Sequence, residues 1–364
     1  MRIEKIELIW VRLPFKISFK HFLARRNFSD NLIVKTTLGS GITGYGEGIP
    51  RKYLTGETIK TTFKNKFLLK KLIKREIDLD GIKNFTLHYS RFKKYNSLLC
   101  AAELSILDAY CKSRNIPVSK LIGKIKNKQI SYSGIISADN FAKVAAIANE
   151  YKKRKVSQIK VKVGTNNDEK RIGLIRKILP DADIRIDANC AWSAKEAVAK
   201  INKLLKYDIS AVEQPVKVND FKGLGYIKKN TDVPIIADES LINLQDAEKL
   251  LECADIFNIR ISKCGGIFNS IKIYNYAKKH KKESVLGCQV GESGILSAAG
   301  RALASCLDFK YAEGSYNKYL LKKDITNEDL SVSKNFSAKS IYGSGIGVSI
   351  NQEILDGFLF RKWM

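Results

Sequence analysis

The chain has 364 residues, 45% of them hydrophobic, which is enough for a large domain plus a smaller one with a sizeable core. No apolar run approaches the roughly 18 residues of a membrane span, and the N-terminus has no signal-peptide pattern, so we expect a cytoplasmic protein with no membrane partner. The seven cysteines form no CxxC pair, and the net charge of +27 comes from dispersed lysines without a nucleic-acid-binding motif, which argues against disulfides, zinc and a nucleic-acid partner.

The first 125 residues are typical of an antiparallel meander followed by helices. The segments "KIELIWVRLPF" and "DNLIVKTTLGSGITGYGEG" alternate as strands do, whereas "SLLCAAELSILDAYCKSRN" is typical of a helix. We therefore predict a separate α+β domain over residues 1–125. The tail, residues 326–364, has short strands and turns but no further βα unit, and we expect it to pack back on this domain.

Residues 126–325 alternate short apolar runs with helical segments at a period of about 25 residues. The eight predicted strands are "QISYSGIIS" (129–137), "QIKVKVG" (158–164), "DIRIDAN" (183–189), "ISAVEQPV" (209–216), "VPIIADES" (233–240), "IFNIRISKCGG" (256–266), "ESVLGCQVGES" (283–293) and "FKYAEGSY" (309–316). This repetition favours a closed β/α barrel. An open, doubly wound sheet would need a glycine-rich phosphate loop, and "KVGTNNDEK" contains a single glycine.

Charged residues end five successive predicted strands. They are Lys162, Asp187, Glu213, Asp238 and Lys263, and they lie 25 or 26 residues apart. Active sites of β/α barrels are built on this rim. Three carboxylates there would repel one another unless a cation lay among them, and carboxylate oxygens favour Mg²⁺. Any one of the acids could instead be the N-cap of the next helix, but five charged residues in phase favour a functional site.

Lys160 and Lys162 lie two residues apart in "QIKVKVG" and therefore on one face of a strand. If a metal polarised a substrate carboxylate, Lys162 and Lys263 would face the adjacent carbon from opposite sides. The charges of the metal and of Lys160 would favour the neutral form of Lys162, which could then act as a base. We interpret Lys160 as the electrostatic neighbour that also binds the developing oxyanion.

The segments "KVK", "DAN", "EQP", "ADES" and "NIRISKCGGI" resemble, in this order and spacing, the enolase superfamily and within it the muconate cycloisomerase subgroup. The resemblance extends over the whole chain, since "SDNLIVKTTLGSGITGYGEGIPRKYLTGET" is similar to the capping domain of that family. It implies a modified TIM barrel, (β/α)7β, with an N-terminal α+β capping domain completed by the C-terminal tail. None of the three histidines lies at a strand end, which disfavours the His–Asp site of the mandelate racemase branch.

The resemblance also implies a role for each matching residue. The Mg²⁺ ligands would be Asp187, Glu213 and Asp238, the paired acid/base catalysts Lys162 and Lys263, and the supporting lysine Lys160. The residues that orient the ligands would be Asn189, Gln214 and Glu239. The implied substrate contacts are Arg25 or Arg26, Tyr53 in a loop that closes over the site, Glu292 and Glu313.

The reaction implied by the resemblance begins with removal of the proton next to a carboxylate of a small-molecule substrate, giving a metal-stabilised enolate. Reprotonation from the other face would make the protein a racemase or epimerase of an amino-acid derivative or dipeptide. Dipeptide epimerases hold the substrate ammonium with Asp-x-Asp after strand eight; here Glu313 matches the first acid and Ser315 replaces the second. The alternatives are a lactone-forming muconate-type cycloisomerase, a dehydration yielding o-succinylbenzoate and a catalytically silent carboxylate-binding barrel. We expect a homo-oligomer, since relatives are often oligomeric.

Overall fold

The structure, a computed structural model, describes residues 1–21, 24–74 and 76–363, and for residues 19–21, 24 and 25 the backbone alone. Its strands form a four-stranded antiparallel sheet, an eight-stranded parallel sheet and a two-stranded ribbon. Among the described residues, no helix is long and apolar enough to cross a membrane.

The antiparallel sheet brings the two ends of the chain together. Its strands are β1 (Ile3–His21), β2 (Ala24–Leu38), β3 (Thr43–Gly48) and, near the C-terminus, β14 (Leu359–Trp363), in the order β14-β1-β2-β3. The helices that follow β3 are α1 (Lys52–Thr55), α2 (Ile59–Lys64), a 3-10 helix (Asn65–Lys71), α3 (Leu79–Ser90), α4 (Asn96–Ser113) and α5 (Ser119–Ile122). Helix α4 packs closely on β3, because a Cβ atom on Gly46 would lie 2.0 Å from the carbonyl oxygen of Ala101.

The parallel sheet forms a barrel whose strands pair in chain order. They are β5 (Gly134–Ile136), β6 (Gln158–Lys162), β7 (Asp183–Asp187), β8 (Ile209–Glu213), β9 (Ile235–Ala237), β10 (Ile256–Ile259), β11 (Glu283–Leu286) and β12 (Tyr311–Ala312). The amide of Ser133 donates to the carbonyl of Ala312 at 2.9 Å, which joins the first strand to the last.

Helices connect the barrel strands and follow the last of them. They are α6 (Phe141–Lys153), α7 (Asp168–Ile178), α8 (Ala194–Leu204), a 3-10 helix (Leu205–Tyr207), α9 (Phe221–Lys229), α10 (Leu244–Leu250), α11 (Ile261–Cys264), α12 (Ile267–Lys279), α13 (Gly294–Cys306), α14 (Asn317–Leu320) and α15 (Gln352–Gly357). Together with the antiparallel sheet, this architecture confirms the predicted (β/α)7β barrel and its capping domain completed by the tail.

Alternation along the strands explains how the barrel buries charge. On β6, Ile159 and Val161 belong to the main apolar core, whereas Lys160 and Lys162 point to the other face and contact carboxylates. A separate apolar cluster is formed by one residue from each of the strands β8 to β12, namely Ala211, Ile236, Ile256, Val285 and Tyr311. The interior of the barrel therefore contains both the charged side chains and this small apolar cluster.

The predicted first strand, residues 129–137, is two strands in the structure. β4 (Gln129–Ser131) pairs antiparallel with β13 (Ser337–Lys339) of the tail, and only β5 joins the barrel sheet. The segment is divided into two strands because its first half pairs with the tail and its second half pairs with β6. The tail therefore contacts the barrel as well as the capping sheet, and the domain boundaries at 125 and 325 stay predictions.

The placement of Lys263 at the end of strand six is corrected by the structure. Strand β10 ends at Ile259, and Lys263 lies on the one-turn helix α11. The turn lets the side chain fold back over the barrel, where its ammonium donates to the carbonyl of Asn258 at 2.9 Å. An uninterrupted strand would have carried the lysine away from the rim.

Candidate active site

Three carboxylates stand at the C-terminal rim of the barrel. Asp187 ends β7, Glu213 ends β8 and Asp238 directly follows β9, and all three are fully buried. The parallel register aligns Lys162 with Asp187 and Asp187 with Glu213 on neighbouring strands. The structure therefore brings the three predicted metal ligands to one level of the barrel, together with the predicted lysines.

Lys160 lies between the carboxylates at the centre of the barrel. Its ammonium is 2.9 Å from an oxygen of Asp187, donates to Glu213 at 2.9 Å and donates to Glu313 at 3.0 Å. Burial alone would lower the pKa of Lys160, but the charges of these three carboxylates outweigh it and raise the pKa well above its usual range. Lys160 therefore supplies a fixed positive charge.

The other two lysines reach the rim from different sides. Lys162 donates to Asp187 at 2.6 Å and to the side-chain oxygen of Asn189 at 2.8 Å. Lys263 donates to the backbone and the carboxylate of Asp238 at 2.6 and 2.8 Å. Each lysine is thus attached to a different carboxylate of the trio, on strands separated by β8.

The electrostatics of the three carboxylates differ. Burial would raise the pKa of Asp187, but the ammonium groups of Lys160 and Lys162 hold it well below its usual range. The pKa of Asp238 is also low despite burial, because the guanidinium of Arg260 and then Lys263 lie beside it. Glu213 has a raised pKa, since burial and the neighbouring acids outweigh the charge of Lys160. Glu213 is therefore the carboxylate with the least compensation.

The donor set fits a Mg²⁺ ion in its chemistry: three buried carboxylates on successive strands offer hard oxygen ligands. Glu213 Oε2 is buried and makes no hydrogen bond, although Lys160 Nζ lies 2.8 Å away outside hydrogen-bond geometry. In this structure the carboxylates contact Lys160 and Arg260. Among the described residues, no group of three acidic, histidine or cysteine side chains is arranged to hold a metal ion. Asp187, Glu213 and Asp238 would hold the ion.

The three residues predicted to orient the ligands lie around them. The backbone amide of Asn189 donates to Asp187 at 2.9 Å, and its side chain donates to Glu239 at 3.0 Å. Gln214 accepts from the amide of Asp238 at 3.1 Å. Asn189 and Gln214 both have left-handed backbone conformations, with φ of 44° and 37°. Such conformations in residues other than glycine cost roughly 1–3 kcal/mol each and gather at functional sites.

The predicted substrate contacts lie at different places. The side chain of Arg25 is outside the described part of the chain. Tyr53 lies half-buried on α1. Glu292 follows β11 and accepts from the amide of Gln289 at 2.7 Å, and burial raises its pKa to about 8. The substrate-binding roles of these residues stay predictions.

The alternative Arg26 and the acid after strand eight also stay predictions. Arg26 is half-buried, and its Nε is buried without a hydrogen-bond partner. Glu313 follows β12 and accepts from Arg185 at 2.7 Å as well as from Lys160. Its carboxylate therefore already has two cationic partners inside the barrel.

Sequence reasoning missed two arginines and one asparagine in this interior. Arg185 donates to Glu313 and, at 2.9 Å, to the hydroxyl of Ser133. Arg260 donates to the carboxylate of Asp238, and Asn258 donates to Glu213 at 2.8 Å. The signal was present, because Arg185 precedes Asp187 by two residues just as Lys160 precedes Lys162. Alternate polar residues in an otherwise apolar strand face the same interior.

Comparison with known proteins identifies the family of this chain. The structure is a capped β/α barrel with three buried carboxylates and two lysines at the C-terminal ends of its strands. The sequence of residues 143–354 matches the family described as Enolase C-terminal domain-like. The chain belongs to the enolase superfamily, as the sequence motifs predicted.

Several relatives cover nearly the whole chain. The hydrophobic dipeptide epimerase of Enterococcus faecalis is 30% identical over 362 residues, covering 98% of this chain and 96% of that protein. A crystal structure of the dipeptide epimerase from that organism, complexed with Mg and L-Leu-L-Tyr, has a TM-score of 0.88 at 28% identity and covers 96% of this chain and 100% of that one.

The N-succinyl-L-Arg/Lys racemase of Bacillus cereus is 28% identical over 364 residues, covering 98% of this chain and 97% of that protein. Its crystal structure has a TM-score of 0.91 at 27% identity and covers 100% of this chain and 99% of that one. Muconate lactonizing enzyme from Pseudomonas fluorescens, complexed with muconolactone, has a TM-score of 0.90 at 25% identity and covers 98% and 99% of the two chains.

Proposed function

We propose that the protein is a Mg²⁺-dependent racemase or epimerase that inverts the carbon next to a carboxylate in an amino-acid derivative or dipeptide. The observation that carries the proposal is the pair of lysines attached to opposite members of the acidic trio, Lys162 to Asp187 and Lys263 to Asp238. Two proton-transfer groups on different sides of one carbon are what inversion requires. The names of the relatives, dipeptide epimerase and N-succinyl-L-Arg/Lys racemase, support the same reaction.

Each lysine would have a defined role in this reaction. A Mg²⁺ ion held by the three carboxylates would supply positive charge to the substrate carboxylate. One of Lys162 and Lys263 removes the proton at the α-carbon as a neutral amine, and the other, as an ammonium, returns a proton to the opposite face. Their roles exchange for the other enantiomer. Lys160, held between three carboxylates, keeps its proton and contributes charge that favours the anionic intermediate.

The environment of Glu313 favours a substrate whose nitrogen is acylated. Lys160 and Arg185 both donate to this carboxylate, at 3.0 and 2.7 Å, within the buried barrel interior. A free ammonium group would have to compete with two cations already in place. An amide nitrogen carries no charge, so it needs no uncompensated acid. We therefore expect N-acyl amino acids to be better substrates than dipeptides with a free amino group.

The test is proton exchange at the α-carbon in D₂O with Mg²⁺, followed by NMR for N-succinyl amino acids, dipeptides and cis,cis-muconate. We expect deuterium incorporation with loss of optical purity, fastest with N-succinyl amino acids. Lys162→Ala and Lys263→Ala should each slow racemisation by about 10²–10⁴-fold, typical of the loss of a positioned acid or base. Each variant should still exchange one enantiomer.

The control variant is Lys206→Ala, which removes an exposed lysine paired with Glu169. It should exchange as the wild type does. Lactone formation from muconate would instead identify a cycloisomerase. Mg²⁺ binding without exchange of any acid would contradict the proposal and favour a carboxylate-binding barrel without catalysis. A faster reaction with dipeptides than with N-succinyl amino acids would overturn the argument from Glu313.

A further inference from the structure

The capping domain reaches the turn that carries Lys263. Helix α4 begins at Asn96, whose side-chain amide donates to the backbone carbonyl of Lys263 at 2.6 Å, although the two residues are 167 positions apart. The next contact is on the neighbouring residue, since the amide of Ile49 donates to the hydroxyl of Ser262 at 2.8 Å. The one-turn helix α11 is therefore attached to two separate segments of the capping domain.

The close approach of α4 depends on a glycine after the turn. Gly266 has a φ of 128°, and a Cβ atom there would lie 2.4 Å from a carboxylate oxygen of Glu103, which also belongs to α4. Glu103 in turn accepts from the amide of Phe268 at 3.1 Å. The chain beyond Lys263 is thus shaped to fit against the same helix that carries Asn96.

The hydrogen bonding of the Asn96 side chain indicates that this side chain positions Lys263 rather than stabilises the fold. Its side chain is fully buried, and Oδ1 has no hydrogen-bond partner. If the side-chain amide were turned by about 180°, Oδ1 would face the carbonyl oxygen of Lys263 and the hydrogen bond would be lost. The nitrogen Nδ2 therefore faces this carbonyl. A buried amide with one unmatched oxygen costs stability. The hydrogen bond that the Asn96 side chain does make is the one to the backbone carbonyl of Lys263.

We propose that Asn96, in the capping domain, is a positioning residue for Lys263, so that proton transfer on one face of the substrate depends on the capping domain. This inference rests on the proposed function. Lys263 is fixed at both ends: three oxygens hold its ammonium, and Asn96 holds its backbone carbonyl. Lys162 has no such dependence, because β6 is fixed by its pairing with β7, where Lys162 lies opposite Asp187.

The test compares exchange of the two enantiomers in Asn96→Leu, which keeps the branched shape and removes the donor. The enantiomer whose exchange is lost in Lys263→Ala should slow by at least about tenfold, since small displacements of a reacting group cost up to about a hundredfold. The enantiomer that depends on Lys162 should change by less than about twofold by the same reasoning. Asn96→Ala repeats the test without added bulk. The control Ser97→Ala changes the next buried residue of α4 and leaves the bond between Asn96 and Lys263 in place, so it should slow neither enantiomer.

A second measurement does not require catalysis. Amide hydrogen exchange of the segment 260–266 should become faster in Asn96→Leu, whereas the segment 158–163 should not change. Equal slowing of both enantiomers, or an unchanged rate together with unchanged amide exchange, would overturn the inference. If the wild type exchanges no acid, the proposed function fails, and the amide exchange alone then decides whether Asn96 holds the turn.

Discussion

The clearest prediction for stability concerns Glu103, a fully buried carboxylate of α4 at the junction with the barrel. It accepts from the amide of Phe268, in the first turn of α12, at 3.1 Å. Burial raises the pKa of Glu103 to about 7, against the small opposing effect of its hydrogen bonds. The substitution Glu103→Gln keeps the size of the side chain and the acceptor but removes the titration.

The magnitude follows from linkage between protonation and folding. The folded pKa of about 7 exceeds the usual value of 4.5, so the folded state binds the proton more tightly than the unfolded chain does. The stability from this group is fully present below about pH 4.5 and is lost as the pH rises through 7. At about 1.36 kcal/mol for each pH unit, the loss is roughly 3 kcal/mol.

The measurement is the free energy of unfolding in urea for both proteins between pH 5 and 8. The variant minus wild-type difference should rise by about 2.5 kcal/mol over this range, in favour of Gln at pH 8, because the first part of the loss occurs below pH 5. The control Glu150→Gln makes the same chemical change at an exposed position of α6 and should alter the free energy of unfolding by less than about 0.5 kcal/mol. Parallel pH profiles for Glu103→Gln and the wild type would refute the reasoning.

Two other substitutions test the junction and the rim. Gly266→Ala should lower the free energy of unfolding in urea by at least about 1–3 kcal/mol, because Gly266 has a positive φ and a Cβ there would collide with Glu103. The control Gly225→Ala on α9 should not lower it, since a Cβ there would make an ordinary contact at 3.6 Å. Glu213→Gln should weaken Mg²⁺ binding by at least about tenfold in calorimetry, since a charged oxygen donor is lost. The control Glu150→Gln should leave the affinity unchanged. An unchanged affinity for Glu213→Gln would contradict the assignment of Glu213 as a ligand.

The barrel could be predicted from the sequence because each of its units repeats one local pattern. A strand, a charged residue at its end and an amphipathic helix recur every 25 or so residues, and parallel pairing then places the strand ends together. The same pattern led to Lys160, Lys162, Asp187 and Glu213. In the structure, Lys160 contacts both carboxylates and Lys162 donates to Asp187. Local periodicity was sufficient here because the parallel register is regular.

The pattern was insufficient where the chain leaves the strand. "NIRIS" alternates apolar and polar residues as a strand would, yet the strand ends at Ile259, and Lys263 lies on a helical turn. That turn is held by Asn96 and Ile49, which are far away in sequence. Contacts of this range leave no mark in a local pattern, and neither does the pairing of Arg185 with Glu313 across the barrel.

The capping domain is part of the framework of the site, because it supplies groups that the barrel lacks. Helix α12 begins after Gly266, which has no side chain to cap it, and Glu103 accepts an amide of its first turn. Glu47 of β3 adds to the N-cap Ser293 of α13, because it accepts the amide of Leu296 at 3.1 Å. Asn96 adds a bond to the carbonyl of Lys263. The substitutions of Glu103 and Asn96 separate these contributions, since the first changes stability with pH and the second changes proton exchange on one face of the substrate.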